Sequence, residues 1–159
     1  MKTQWLGLSL LFAALSGCVA PPPPSERATD AARNLNLAAR FGRMDLAAAQ
    51  AADSTREEFL QRRAGWGKTL RILDTEMAGF QMPDATHATV VVDVSWVRMN
   101  ESIVRSTRVS QAWRDEQRGG WKLVREKRVE GDLGLFGEYV EIQAKQTKDV
   151  HFPVRVIKE

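Results

Sequence analysis

The sequence predicts an α+β fold in which N-terminal helices are followed by an antiparallel sheet. Apolar residues recur at helical spacing as far as about residue 65, and from Thr69 onward they alternate with polar residues at a spacing of two. The turn-forming sequences Pro83-Asp84 and Arg118-Gly119-Gly120 separate the alternating segments. Because short turns join antiparallel neighbours, the strands should form a meander.

The first predicted helix is capped by Ser25 and stops at Gly42. Its apolar stripe consists of Ala28, Ala31, Ala32, Leu35, Ala38 and Ala39, and its polar face of Arg27, Asp30, Arg33, Asn36 and Arg40. Since most of the stripe is alanine, this helix should sit close to the layer that it covers. A second helix is predicted over Asp45–Ala52. The capping box Ser54-Thr55-Arg56-Glu57 predicts the start of a third helix, which ends near Gly65-Trp66-Gly67.

Four strands are predicted after the helices, over Thr69–Met82, 88–97, Ile103–Asp115 and Trp121–Val129. The second strand should bury Ala88, Val90, Val92, Val94 and Trp96. The third strand should bury Ile103, Thr107, Val109, Gln111 and Trp113, with Arg108, Ser110 and Arg114 on its other face. Tyr139–Ile142 is a weak strand candidate. The alternation of Val150, Phe152, Val154 and Val156 is compatible only with an edge strand, because Pro153 lacks an amide proton.

Composition indicates one globular domain with a mixed surface. The chain has 159 residues, of which 43% are hydrophobic and 27% charged, which is enough to bury a core. Its formal net charge of +3 is modest for this length. The single cysteine cannot form an internal disulfide, and no His, Cys and carboxylate spacing typical of a metal site is present, so we expect no metal and no cofactor.

The N-terminal segment has the features of an export signal. Lys2 precedes the apolar run Trp5–Leu15, which is shorter than the roughly 20 residues that a membrane-spanning helix needs. The run closes on Leu15, Ser16, Gly17 and Cys18, with two small residues directly before the cysteine. These four residues resemble the lipobox of a bacterial lipoprotein signal peptide. The alternative is an ordinary signal peptide that happens to contain a cysteine.

The lipoprotein resemblance implies where the protein is located. Residues 1–17 would be removed, and Cys18 would carry a diacylglycerol and an amide-linked chain such as palmitate. More than one acyl chain gives stable membrane anchoring. Val19, in place of an aspartate, resembles the signal for sorting to the outer membrane, facing the periplasm. Residues 18–25, with Pro21–Pro24, would form a stiff polyproline spacer. The membrane is then the expected partner, and nucleic acid is not.

Three short sequences resemble the nuclear transport factor 2-like superfamily. They are Phe41-Gly42-Arg43-Met44-Asp45, Gln111-Ala112-Trp113 and Gly120-Trp121-Lys122-Leu123-Val124. The resemblance covers residues 26–131 and implies a cone, in which helices fill the concave side of a curved sheet. Residues 132–159 depart from the pattern. They are predicted to begin with a loop over Gly131–Gly137 and to continue as an edge strand or a disordered tail.

The candidate site residues are Trp66, Trp96, Trp113 and Asp93, which together could line a pocket at the mouth of the cone. Each has a simpler interpretation. The tryptophans, with Trp121, could be core residues, and Asp93 shares its face with Thr89 and Ser95 and could be solvated. His87, near the Pro83-Asp84 turn, fits a solvated turn histidine. A sheet face could also be basic, with Arg108 and Arg114 on one face of their strand and Arg125 and Lys127 on one face of theirs, and could meet anionic headgroups, lipopolysaccharide or an acidic partner, although a plain charged surface is the simpler interpretation.

Three hypotheses about function follow. A non-catalytic binding or interaction domain, for an envelope protein or a small apolar ligand, requires a cavity without a buried carboxylate. A small enzyme, similar to the isomerases and cyclases of the superfamily, requires Asp93 or Asp74 inside the cone with a raised pKa. A structural subunit that forms a homodimer through the open sheet face requires an exposed apolar patch there. We favour the first hypothesis and expect no catalytic residue.

Overall fold

The computed structural model describes residues 21–139 and confirms the α+β fold. Its elements are α1 (Pro24–Arg40), α2 (Met44–Ala49), α3 (Arg56–Arg62), β1 (Leu70–Asp84), β2 (His87–Arg98), β3 (Arg105–Asp115) and β4 (Trp121–Gly131). The strands form one antiparallel sheet in the order β1-β2-β3-β4. The predicted signal peptide, the lipobox with Cys18, Val19 and the strand candidate over 150–156 lie outside the described residues, as does most of the candidate at 139–142. Among the described helices, none has the length and apolar character required to cross a membrane.

Helix α1 begins earlier than predicted. Pro24 is its first residue, a position that proline tolerates because the amide there has no partner within the helix. The prediction that Pro24 belongs to an extended spacer is therefore wrong. Ser25 lies inside the helix instead of capping it, and no side chain caps the first turn. Gly42, at a φ of 72°, follows the end of the helix as predicted.

The short helices end where the chain contacts the sheet. Helix α2 stops at Ala49, because the next residues hydrogen-bond to β4: the Ala52 amide donates to the Leu123 carbonyl and the Leu123 amide to the Gln50 carbonyl, both at 2.9 Å. The predicted capping box does not form. Thr55 directly precedes α3, and its hydroxyl contacts the Leu123 carbonyl at 3.0 Å instead of an amide of its own helix. These contacts cover part of the β4 edge.

The core combines small helix residues with large sheet residues. Buried alanines of α1 and the α2 region share one cluster with Trp96, Trp113 and Trp121. The alanines of the cluster in and directly after these helices are Ala28, Ala32, Ala39, Ala47, Ala48 and Ala51. A close approach of helix and sheet follows, because alanine leaves room for indole rings.

Strand pairing agrees with the predicted meander but differs in detail. The predicted inner face of β2 is buried from Ala88 to Trp96. Strand β3 starts at Arg105, and Ile103 is exposed rather than buried, because it lies in the connection before the strand. Strand β1 runs past Pro83 to Asp84, which is possible because it is an edge strand. Its register shifts near Asp74, Gly79 and Asp84 are irregularities of the kind that bend a sheet.

Residues 132–138 contact the domain, and Leu135 and Phe136 among them are buried. Gly131 has a φ of 88°, and a Cβ atom there would lie 2.3 Å from the Ser106 carbonyl oxygen, so only glycine fits. The Asp132 carbonyl then accepts a hydrogen bond from the Thr107 hydroxyl at 2.8 Å. This turn directs Leu135 and Phe136 into the core, where both are buried. The domain therefore extends beyond the boundary predicted at residue 131.

The Ala32→Leu substitution should test the close approach of α1. Ala32 is fully buried, so a leucine forces displacement of the facing side chains, and we expect the free energy of unfolding to fall by about 1–3 kcal/mol. Urea denaturation measures the change. Asn34→Leu places the same side chain on the exposed face of α1 and should change stability by less than about 0.5 kcal/mol. Equal effects of the two substitutions would show that α1 does not pack closely.

Candidate functional site

The tryptophans proposed to line a pocket are core residues. Trp96 and Trp113 are 0% and 1% exposed, and Trp66 is also buried. The Trp96 indole donates to the Thr107 hydroxyl at 2.9 Å, and the Trp66 indole donates to the Leu135 carbonyl at 2.8 Å. Trp66 also stacks on Phe136, with ring centroids 6.4 Å apart. Packing therefore accounts for all three side chains, and hydrogen bonds satisfy the indoles of Trp66 and Trp96 but not that of Trp113, which has no partner among the described residues.

Asp93 lies on the opposite face of the sheet from Trp96 and Trp113. Its carboxylate accepts two hydrogen bonds from the Arg108 guanidinium on β3, each at 2.7 Å. The hydrogen bond from Arg108 lowers the pKa of Asp93 below its ordinary value, and the charge of Arg108 acts in the same direction. A general base inside the cone would need the reverse shift. The predicted pocket that joins Asp93 to the tryptophans is therefore wrong.

Asp74 and His87 lie outside the interior as well. The Asp74 side chain is 62% exposed and pairs with Arg40 at 2.8 Å. The His87 ring contacts the Asp84 carboxylate at 3.0 Å in the β1–β2 turn, where both side chains are more than half exposed. The pKa of Asp84 is lowered, first by the hydrogen bond from the Thr86 hydroxyl. His87 is thus a solvated residue beside the turn, at the first position of β2, which agrees with its simpler interpretation.

The interior instead contains a buried ion pair that the sequence did not indicate. The Arg63 guanidinium on the α3 side contacts the Glu126 carboxylate on β4 at 2.6 Å, and the two side chains are 2% and 4% exposed. The Gln111 amide donates to the same carboxylate oxygen at 3.0 Å. Gln111 and Asn36 exchange a reciprocal pair of hydrogen bonds, each at 3.0 Å. Four elements of the fold, α1, α3, β3 and β4, are therefore connected through one polar network.

Aromatic rings surround the Arg63 guanidinium. Its central carbon lies 3.8 Å from the Phe59 ring centroid, 4.8 Å from that of Trp66 and 5.1 Å from that of Phe136. Cation–π attraction adds to the ion pair in such an environment. The Nε atom of Arg63 is buried and has no hydrogen-bond partner among the described residues. The aromatic rings and Glu126 thus provide most of the compensation for burying this charge.

A register shift explains why the network was missed. Strict alternation from Trp121 and Leu123 would place Arg125 and Lys127 inside and Glu126 outside. Trp113 on β3 pairs with Leu123 on β4, but the next β3 residue, Ala112, pairs with Arg125, so Val124 is skipped. This one-residue shift turns Glu126 inward and Arg125 outward. Asn36, assigned to the polar face of α1, is buried too. Gln111 on a predicted core face was the one available signal, since a buried amide requires partners.

An open cleft lies at one end of the sheet, next to this network. It has a volume of about 440 Å³ and is formed by the α3–β1 connection, the β2–β3 turn and residues 134–137. We call it the basic cleft. Its lining consists of Arg62, Lys68, Thr69, Leu70, Arg98, Met99, Asn100 and three glycines. Within residues 21–139, no carboxylate or imidazole belongs to this lining. In the same part of the chain, we find no group of three or more His, Cys, Asp or Glu side chains that could hold a metal ion.

Comparisons with known proteins bear on the fold. No protein-family model and no curated protein matches the chain. The crystal structure of a ketosteroid isomerase-like protein from Erwinia carotovora atroseptica is similar with a TM-score of 0.55 at 13% identity, over 67% of this chain and 96% of that one. The solution structure of a SEC-C motif containing protein from Rhodopseudomonas palustris is similar with a TM-score of 0.50 at 17% identity, over 59% and 72%.

These similarities show the fold alone. The described domain has the architecture of the ketosteroid isomerase-like and nuclear transport factor 2-like proteins, which confirms the predicted fold. The name of the Erwinia carotovora atroseptica protein hints at an enzyme fold family. Identities this low carry no residue roles from either protein to this chain.

The Arg63→Met substitution should show how much the fold depends on an intact Arg63–Glu126 pair. It leaves the Glu126 carboxylate buried without its cation, so we expect a loss of about 3–5 kcal/mol in the free energy of unfolding. Addition of Glu126→Gln should restore most of that loss, because the neutral side chain still accepts from Gln111. Urea denaturation of the single and double variants measures both effects.

The exposed pair Arg33–Asp30 provides the control for this comparison. Both side chains are more than half exposed, so Asp30→Asn should lower stability by no more than about 0.5 kcal/mol. A similarly small effect of Arg63→Met, or a double variant no more stable than the single one, would contradict the assigned role of the pair.

The Asp93→Asn substitution should have a small, pH-dependent effect. Both partners of the Asp93–Arg108 pair are partly exposed, so the loss at neutral pH should stay below about 1 kcal/mol. Since the folded-state pKa of Asp93 is lowered, the wild type is the more stable form above the ordinary aspartate pKa of about 3.9, and its advantage disappears as the pH falls further. Urea midpoints measured from neutral to acidic pH test this. An advantage that grows on acidification would instead indicate a raised pKa and a candidate base.

Proposed function

We propose that this protein is a membrane-anchored envelope lipoprotein whose cone-shaped domain binds a ligand or partner without catalysing a reaction. One observation carries the binding part: an open cleft whose described lining contains no carboxylate or imidazole. Carboxylates and imidazoles are the commonest general acids and bases, and the one lysine of this described lining, Lys68, is exposed to solvent rather than buried as a catalytic lysine usually is. A binding site needs only shape and complementary polar groups.

The enzyme alternative receives support from the name of one structural neighbour but not from the candidate residues. Asp93 is bonded to Arg108 on the outer face, and Asp74 pairs with Arg40 at the sheet edge. The inner carboxylate, Glu126, accepts from both Arg63 and Gln111. A base must be free to take a proton from substrate, so this arrangement favours a structural role for Glu126.

The outer sheet face carries ion pairs near its centre, which makes the homodimer alternative less favoured. Asp93, Arg108 and Glu130 form ion pairs near its centre, with Arg108 within 3.6 Å of Glu130. Arg114 and Glu116 form a further pair near one end of the strands. A charged face of this kind is a weaker basis for stable self-association than a contiguous apolar patch.

The anchor proposal rests on the lipobox-like residues Leu15 to Cys18 and on the short distance to the domain. Pro24, where α1 begins, is the sixth residue after Cys18. Six residues reach at most about 20 Å when extended. A lipid on Cys18 would hold the domain against the membrane surface, which we propose to be the periplasmic face of an outer membrane, where an envelope protein or a small apolar ligand is within reach.

Metabolic labelling with an alkyne fatty acid tests the anchor in the native host. The wild type should incorporate the label, lose residues 1–17 and fractionate with membranes, because the acyl chains are attached to Cys18. Cys18→Ser should remain unlabelled, since serine cannot form the thioether, and intact mass should show the difference. An unlabelled wild type that fractionates as a soluble protein would overturn the anchor and favour a diffusible substrate.

A further inference from the structure

The basic cleft carries an excess of positive charge. Four cationic side chains lie in or beside it: Arg62, Lys68, Arg98 and Arg105. Two carboxylates pair with them, Glu58 with Arg62 at 3.7 Å, and Glu101, which is shared by Arg98 and Arg105. Lys68 makes no ion pair within residues 21–139, and its ammonium is therefore available to a ligand.

Two of these cations are held in place before any ligand arrives. Arg62 donates to the Glu126 carbonyl at 2.8 Å, and its guanidinium lies 4.1 Å from the Phe136 ring centroid. The Arg62 and Arg98 side chains are only 23% and 19% exposed. A fixed, partly desolvated guanidinium attracts an anion more strongly than a solvated one and loses less side-chain entropy on binding.

Apolar surface adjoins the charges. Leu70 and Met99 contribute to the cleft itself, where Leu70 is 6% exposed and Met99 58% exposed. Ile103 and Val104, in the same β2–β3 connection, are 61% and 62% exposed. An inorganic anion would leave this surface in water, whereas an apolar chain attached to the anion would cover it.

We infer that the basic cleft binds an anionic amphiphile, with a phosphate or carboxylate group at Arg62, Lys68 and Arg98 and an apolar chain over Leu70 and Met99. The cleft volume of about 440 Å³ lies within the range of small-molecule sites. This inference rests on the proposed binding function, whose ligand class it names, but it does not require the lipid on Cys18. Such a ligand could be a bilayer headgroup or a free monomeric lipid.

Calorimetric titration with monohexyl phosphate tests the inference on the full-length protein in phosphatidylcholine nanodiscs. Inorganic phosphate lacks the chain and hexanol lacks the charge, so each should bind at least about tenfold more weakly than monohexyl phosphate. Equal binding of hexanol, or no binding of monohexyl phosphate, would overturn the inference. Either result leaves the anchor, which fatty acid labelling reports separately, unaffected.

Substitutions locate the binding. Lys68→Gln combined with Arg98→Gln should weaken monohexyl phosphate binding by about tenfold or more. The control, Arg125→Gln with Lys127→Gln, removes the same charge elsewhere on the sheet and should leave the affinity unchanged. Lys68→Gln alone removes an exposed side chain that forms no ion pair within residues 21–139, so it should not destabilise the fold. Its effect on monohexyl phosphate affinity therefore tests the site even if the double variant is unstable. Equal losses in cleft and control variants would overturn the site.

Nanodiscs of phosphatidylglycerol distinguish the two sources of ligand. If bilayer headgroups occupy the cleft, monohexyl phosphate should no longer bind there, while binding in phosphatidylcholine nanodiscs persists. If a free lipid is the ligand, the two nanodiscs should give the same affinity. Both outcomes support an anionic amphiphile and differ only in where it comes from.

Discussion

The buried ion pair of Arg63 with Glu126 is the interaction on which the rest of the domain depends. A guanidinium out of water destabilises a fold unless a counter-charge meets it in good geometry, and the 2.6 Å contact meets that condition. Its position requires α3 to lie over β4, and the Gln111–Asn36 amide pair extends the same requirement to β3 and α1. Hydrophobic packing alone would tolerate some sliding of helices on the sheet. A polar network with matched donors and acceptors tolerates far less, because each displacement leaves a buried group without its partner.

The end of β4 is constrained in a comparable way. Gly131 turns the chain where no side chain fits, and Thr107 links two distant elements by accepting from the Trp96 indole and donating to the Asp132 carbonyl. Phe136 then completes the aromatic surroundings of Arg63, and the glycines on either side of it in sequence, Gly134 and Gly137, line the basic cleft. The cleft is therefore a product of the same contacts that close the core. Its cations are positioned by elements far apart in sequence, with Arg62 on α3, Lys68 in the α3–β1 connection and Arg98 at the end of β2.

These contacts fill the interior of the domain, whereas the basic cleft lies outside that interior. The enzyme hypothesis requires a carboxylate inside the domain that is free to take a proton, but here the buried Glu126 carboxylate is engaged by Arg63 and Gln111. The open, cationic part of the molecule lies at the end of the sheet. A fold that is similar to a ketosteroid isomerase-like protein is thus compatible with the binding site that we propose, because fold and site chemistry are independent properties.

The sequence by itself determined the features that depend on local periodicity and turn chemistry. The alanine stripe of α1, the buried face of β2 from Ala88 to Trp96 and the glycine turn before Trp121 are each encoded within a few neighbouring residues, and all were predicted. The tertiary structure alone decided that Glu126 faces inward, that Thr55 bonds to β4 instead of capping α3, and that Arg62, Lys68 and Arg98 share one cleft. The physical reason is that a one-residue register shift inverts every side chain beyond it, and such a shift is set by pairing between strands rather than by either strand's own sequence. Arg63 and Glu126 are separated by 63 residues, so no local pattern could indicate their contact.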